Sequence, residues 1–133
     1  MDKVSSKMVV GEVIPRVQGL QGLADRHLPV RVAYRLGKII KVLSDEAKPY
    51  DEQRLKLAQQ YCEKDEKGNP VINDGQFRFS PENRAAFEKE HTELLTTEIT
   101  VEATAIMLDD FKDIEASARE LLLLGDFLVE EQE

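Results

Sequence analysis

At 133 residues, 41% apolar and 33% charged, the chain is long enough to bury one hydrophobic core and too apolar to remain disordered, so residues 1–133 read as a single domain. One cysteine, Cys62, excludes an internal disulfide, and Met1–Lys7 lacks an apolar run of signal-peptide length, which together point to a cytoplasm. No stretch approaches the roughly 20 apolar residues of a membrane span, and the net charge of −8 is uneven: residues 82–133 hold 15 acids and 4 bases, net −11, against +3 for residues 1–81.

Met8-Val9-Val10 has the composition of a short strand. From Gly11 to Arg26, Ile14, Val17, Leu20 and Leu23 or Ala24 recur at spacings of three and four, the pattern of an amphipathic helix. Pro15 is tolerable near its start, whereas Gly19 and Gly22 each weaken it by about 1 kcal/mol relative to alanine. Residues 30–62 carry the clearest signal: Val32, Leu36, Ile39, Ile40 and Leu43 share one face, which Tyr50, Leu57, Ala58 and Tyr61 extend. Pro49 removes one amide donor and crowds the preceding turn, so a kink or a junction between two helices is expected at Lys48 and Pro49.

Residues 64–80 change to turn chemistry. Asn73-Asp74-Gly75 stands between the β-prone Val71-Ile72 and Gln76-Phe77-Arg78-Phe79, a strong hairpin signal. Ser80 is placed to cap a helix with Pro81 at its first position and Glu82 at the positive end of its dipole. That helix runs to about Thr97, with Phe87, His91, Leu94 and Leu95 on one side. Glu98–Leu108 then alternates Ile99, Val101 and Ala103 with polar residues, the period of a half-buried strand whose best partner is Met8–Val10. Ser117-Ala118-Arg119-Glu120 has capping-box spacing and opens a leucine-rich helix to about Glu130.

Little catalytic chemistry is present. His27 and His91 are the two histidines; no serine lies in a nucleophile-elbow motif, and no glycine-rich phosphate cradle occurs at a strand-to-helix turn. Glu88-Lys89-Glu90-His91 contains one Glu-x-x-His, where a di-metal bundle site needs two, and no register of Asp65–Gly75 supplies the calcium-loop ligands. No enzyme activity, metal or cofactor is expected.

Two binding surfaces stand out. Arg31, Arg35, Lys38 and Lys41 form a basic stripe opposite the apolar face of the long helix, with no acid between Arg26 and Leu43. Such a stripe can meet phosphates, but the chain is acidic overall and its acidic C-terminal half can occupy the stripe within one molecule or between copies, so nucleic acid is the less favoured partner. Leu121 to Leu124 are each turned about 100° from the last, so they spread around the terminal helix. Leu121, Leu124, Phe127 and Leu128 are therefore expected to bury part of their surface against another chain, in a homo-oligomer or on another protein.

Leu28-Pro29-Val30-Arg31-Val32-Ala33-Tyr34-Arg35-Leu36, the helix ending Ala58-Gln59-Gln60-Tyr61, Glu66-Lys67-Gly68-Asn69, and Ile114-Glu115-Ala116-Ser117-Ala118 with its leucine helix together resemble a family of small uncharacterised proteins from tailed-phage genomes. The resemblance implies a phage origin, a role in the virion or the infected bacterial cytoplasm, and no catalytic residue. The expected fold is α+β and predominantly helical: a long kinked helical hairpin, 30–62 against 81–97, with a small antiparallel sheet and a leucine-rich C-terminal helix. The expected function is protein binding as a virion-associated or assembly accessory component, the rival being a host-directed inhibitor whose acidic surface blocks an enzyme or mimics nucleic acid.

Overall fold

In a computed structural model, which describes residues 3–130, strand β1 (Lys3–Val9) pairs antiparallel with a second strand, Glu98–Thr104, along its whole length, from Lys3 opposite Thr104 to Val9 opposite Glu98. Met8 and Val9 thus pair with this strand as expected, Met8 opposite Ile99, but the pairing begins five residues before Met8 and Val10 already belongs to the following helix. Ser6 breaks the apolar alternation of β1. It is nevertheless buried, because its hydroxyl donates to Asp126 Oδ2 at 3.0 Å, which offsets the cost of taking the hydroxyl out of water.

Helix α1 (Val10–Ala24) follows β1 without a loop, with Val10 N–H donating to the Thr97 carbonyl at 3.0 Å. Its buried residues Val13, Leu20 and Leu23 face helix α2 (Val30–Tyr61). α2 runs unbroken through Pro49, so Lys48 and Pro49 are not a junction between two helices. Proline leaves the Asp45 carbonyl without its amide donor, and the same turn is braced by the Asp45 carboxylate between Lys41 (3.4 Å) and Lys48 (3.2 Å).

Beyond α2 the hairpin signal at Asp74-Gly75 is realised as β2 (Ile72–Asn73) and β3 (Gln76–Phe77), with both turn residues at positive φ, 51° and 77°. Asp65 accepts from the Lys67 and Asn69 amides at 2.9 and 3.0 Å, closing the preceding turn. Helix α3 (Pro81–Leu95) starts as its sequence indicates, Ser80 Oγ accepting from Asn83 N at 3.2 Å. It packs on the second half of α2 through a 2.8 Å hydrogen bond between Tyr50 Oη and His91 Nε2, with the His91 ring stacked in turn on Phe87 and Phe87 on Phe79.

The strand expected over Glu98–Leu108 divides at Ala105. β4 (Glu98–Thr104) pairs with β1, whereas β5 (Ile106–Met107) pairs in parallel with β6 (Leu128–Val129). The terminal helix likewise stops short of Glu130: α4 is Ala118–Leu124, and Gly125, at φ 52°, turns the chain into a 3₁₀ turn, Gly125–Phe127, and then β6. A backbone in that left-handed region favours glycine and stops a helix.

The fold is thus α+β and predominantly helical, with α2 and α3 as its hairpin. Its core is one-sided. Val13, Leu20, Leu23, Leu36, Ile39, Leu43, Val101, Ile106, Leu124 and Phe127 form one cluster, to which no residue between Ala47 and Ile99 contributes. At 1.5 Å per residue α2 is about 48 Å long; its first half is a wall of that cluster, and its second half, with β2, β3 and α3, forms an arm held by Tyr50, Ala58, Cys62 and the aromatic stack. None of the described helices is long and apolar enough to cross a membrane.

Candidate functional site

Burial of Val32, Leu36, Ile39 and Leu43 fixes the rotation of α2. With 3.6 residues per turn, positions 30, 34, 38 and 41 must then face away from the core. Val30 is 86% exposed and Tyr34 58%, and Lys38 Nζ lies 5.0 Å from the centre of the Tyr34 ring, within cation–π range. The amino-terminal half of α2 thus presents an apolar and aromatic row edged with positive charge.

The four residues of the basic stripe have different fates. Arg35 turns toward the acidic loop after β5, its guanidinium 3.8 Å from Asp110 and its side chain only 18% exposed; its Nη1 is buried without a hydrogen-bond partner among the described residues. Lys41 pairs with Asp45 along the helix, and together with Lys48 it holds the Asp45 carboxyl below its ordinary range, the Lys48 hydrogen bond contributing most. Arg31 and Lys38 make no ion pair among the described residues. Next to the stripe, Arg26 pairs with Glu120 at 2.8 Å and donates to the Glu115 carbonyl. The acidic C-terminal half therefore engages the basic side of this same chain through Asp110, Glu115 and Glu120.

An open groove of about 710 Å³ runs beside the patch, with His27, Pro29 and Arg31 on one side and Asp109, Asp110 and Asp113 on the other. A second, of about 720 Å³, continues past Arg26 and His27 to Glu115 and Glu120. Both signs of charge line the walls, an arrangement that suits a polar peptide surface better than a polyanion.

The nucleophilic side chains beside the grooves and in the arm are engaged in local hydrogen bonds. Ser117 Oγ accepts from Glu120 N at 3.2 Å as the cap of α4, while Ser117 N donates to Glu120 Oε1 at 3.0 Å. The buried Cys62 thiol donates to the Gln59 carbonyl. His91 is bound to Tyr50, and among the described residues no three His, Cys, Asp or Glu side chains gather as metal ligands.

The leucine-rich segment requires a correction. Leu124 and Phe127 are fully buried in this chain's own core, so they are not surface contacts. Leu121 and Leu128 are partly buried against the same core, and Leu123 packs over Gly19 of α1. The exposed leucine is Leu122, at 76%. α4 packs against α1, and the turn that follows it, Gly125–Phe127, packs against β1.

Val30, Tyr34 and Leu122 were not singled out as contact residues by sequence reasoning. For the first two the signal was present: apolar residues four apart and off the Val32, Leu36, Ile39 and Leu43 row mark a second, outward face. No protein family, no characterised protein and no solved structure matches this chain.

Proposed function

We propose that this chain is a non-catalytic protein-binding component and that the amino-terminal half of α2 is its contact surface. The observation that supports the reading is the exposure of Val30 and Tyr34, 86% and 58%, on a rigid helix beside Arg31 and Lys38, which lack ion partners among the described residues. Tyrosine and arginine are the residue types that dominate binding energy at protein interfaces, and the local charge favours an acidic segment of the partner. The resemblance to tailed-phage proteins makes the partner a phage or host protein and the role a virion-associated or assembly accessory one. Nucleic acid is the weaker reading, because Arg26, Arg35 and Lys41 already face carboxylates and affinity for a polyanion depends on the number of phosphates neutralised.

Mass spectrometry of purified virions tests this. The wild-type chain is expected at a fixed copy number, and folded Arg31→Glu and Tyr34→Ala variants are expected to be lost from the particle. A chain absent from virions but recovered with a host enzyme would favour the inhibitor role. Saturable duplex DNA binding that weakens steeply with salt and disappears in Arg31→Glu would overturn protein binding at this face.

A further inference from the structure

The pairing of β1 with β4 keeps one register throughout, and its hydrogen-bond phase shows which backbone groups are left over. Just past β1, Val10 N–H donates to the Thr97 carbonyl at 3.0 Å in that same register. Bonded and unbonded pairs alternate along an antiparallel ladder, so Met8 with Ile99, Ser6 with Val101 and Val4 with Ala103 are the bonded pairs. The amides and carbonyls of Glu98, Thr100 and Glu102 therefore point away from β1. Among the described residues β4 has no second strand beside it and no further backbone bond. α2 meets β4 on the face of Val101 and Ala103, which belong to the core, whereas Glu98, Thr100 and Glu102 are exposed on the other face. Neither glutamate forms an ion pair among the described residues, and Glu102 accepts only from Ser5 Oγ, at 3.2 Å.

We propose that this edge of β4 takes an extended segment of another protein as a third strand, a segment carrying lysine or arginine at alternate positions. A row of unpaired strand amides and carbonyls is matched in spacing by another extended backbone. Charge selects which one. Side chains directly opposite in neighbouring strands interact, and opposite charges there are favourable, so the row Glu98, Thr100, Glu102 favours basic residues two apart. β1 carries that pattern on the same exposed face, as Lys3, Ser5 and Lys7. The β4 of a second copy is the wrong occupant: pairing two-fold about Thr100 sets Glu98 of each copy opposite Glu102 of the other, and like charges directly opposite are destabilising.

The experiment is fluorescence anisotropy of the full chain with a labelled, end-blocked peptide alternating lysine and valine, with amide hydrogen exchange by NMR to locate it and circular dichroism to verify folding. Saturable binding is expected, with slowed exchange at the Glu98, Thr100 and Glu102 amides. Thr100→Pro deletes an outward amide that β1 does not use and is expected to abolish binding, as is N-methylation of the peptide backbone. Glu98→Lys with Glu102→Lys is expected to weaken it about tenfold. Arg31→Glu and Tyr34→Ala are expected to bind the peptide as the wild type does, so failure at this edge leaves the α2 contact standing. No saturable binding up to millimolar peptide, or binding that survives both Thr100→Pro and N-methylation, would overturn the proposal. Equal affinity for a peptide alternating glutamate and valine would overturn the charge of the partner, and protection of the same three amides in a self-associated chain without peptide would make a second copy the occupant instead.

Discussion

Gly19 of α1 lies so close to Leu123 of α4 that a Cβ added to it would stand 2.3 Å from Leu123 Cδ1. The glycine that weakens α1 as an isolated helix is the seat that lets α4 approach. Gly22, one turn further on, has no atom within 4 Å of such a Cβ. Gly22→Ala is therefore expected to raise stability by about 0.5–1 kcal/mol through helix propensity alone. Gly19→Ala gains the same propensity but requires the end of the Leu123 side chain to move aside, which offsets part of that gain. Urea denaturation should show Gly22→Ala raising the midpoint more than Gly19→Ala does.

Leu124 and Phe127 are fully buried, and Leu122 is 76% exposed. Leu124→Ala and Phe127→Ala should each cost about 3–5 kcal/mol, from lost transfer energy and the cavity left behind. Leu122→Ala should change monomer stability by no more than about 0.5 kcal/mol. Deletion of the chain after Ala116 removes both buried side chains together with β6, and is expected to unfold the protein, seen as loss of the cooperative thermal transition.

The arm depends on few contacts, the chief polar one being the 2.8 Å Tyr50 to His91 bond. Tyr50→Phe leaves a part-buried imidazole without its partner and should cost about 1 kcal/mol. Because Asp51–Lys56, Ile72–Gln76 and most of α3 are exposed, amides in the arm should exchange faster than those of Leu20–Leu23 and Leu36–Leu43 by hydrogen-exchange mass spectrometry, and Tyr50→Phe should widen the gap.

Two phenols of this arm titrate above the ordinary value of 10.0. Tyr50 is raised by burial, with the Asp51 charge adding and Arg54 opposing. Tyr61 is raised first by hydrogen bonding to Glu90, then by desolvation and the carboxylate charge. Since the folded values exceed the unfolded one, the native state retains protons that the unfolded chain releases. The stability they supply is complete below pH 10.0 and is lost as pH rises through the folded values. Ultraviolet titration should show phenolate forming above the ordinary range, and Glu90→Gln should bring Tyr61 back toward it.

On the acid side, Glu120 is held below its ordinary 4.5, chiefly by the Ser117 amide and also by the Ser117 hydroxyl and Arg26, with desolvation opposing. Its contribution is present above pH 4.5 and is lost as pH falls through the depressed folded value. Glu120→Gln should flatten stability against pH in that window. Ser117→Ala should remove the cap of α4 at a cost of about 1 kcal/mol, measurable as a lower thermal midpoint.

Local chemistry was legible along most of the chain. The Ser80 and Ser117 caps, the Asp74-Gly75 hairpin and the apolar row of α2 all follow from side-chain spacing, because each depends on neighbours in sequence or on the period of one element. The amino-acid sequence by itself also determined that residues 30–62 bury one face and leave a basic one outside. Only the tertiary structure decided the rest. Leu124 and Phe127 became core because α1 packs on α4 and β1 on the turn that follows it, while Leu122, on the same helix, stayed exposed. Arg35 and Arg26 lost their freedom to carboxylates far along the chain, Asp110 and Glu120. β6 formed because a positive φ at Gly125 brought Leu128 beside Ile106. Periodicity reports which face of an element is apolar; which neighbour covers that face, and which charge meets which, is set by contacts between residues distant in sequence, where spacing carries no information.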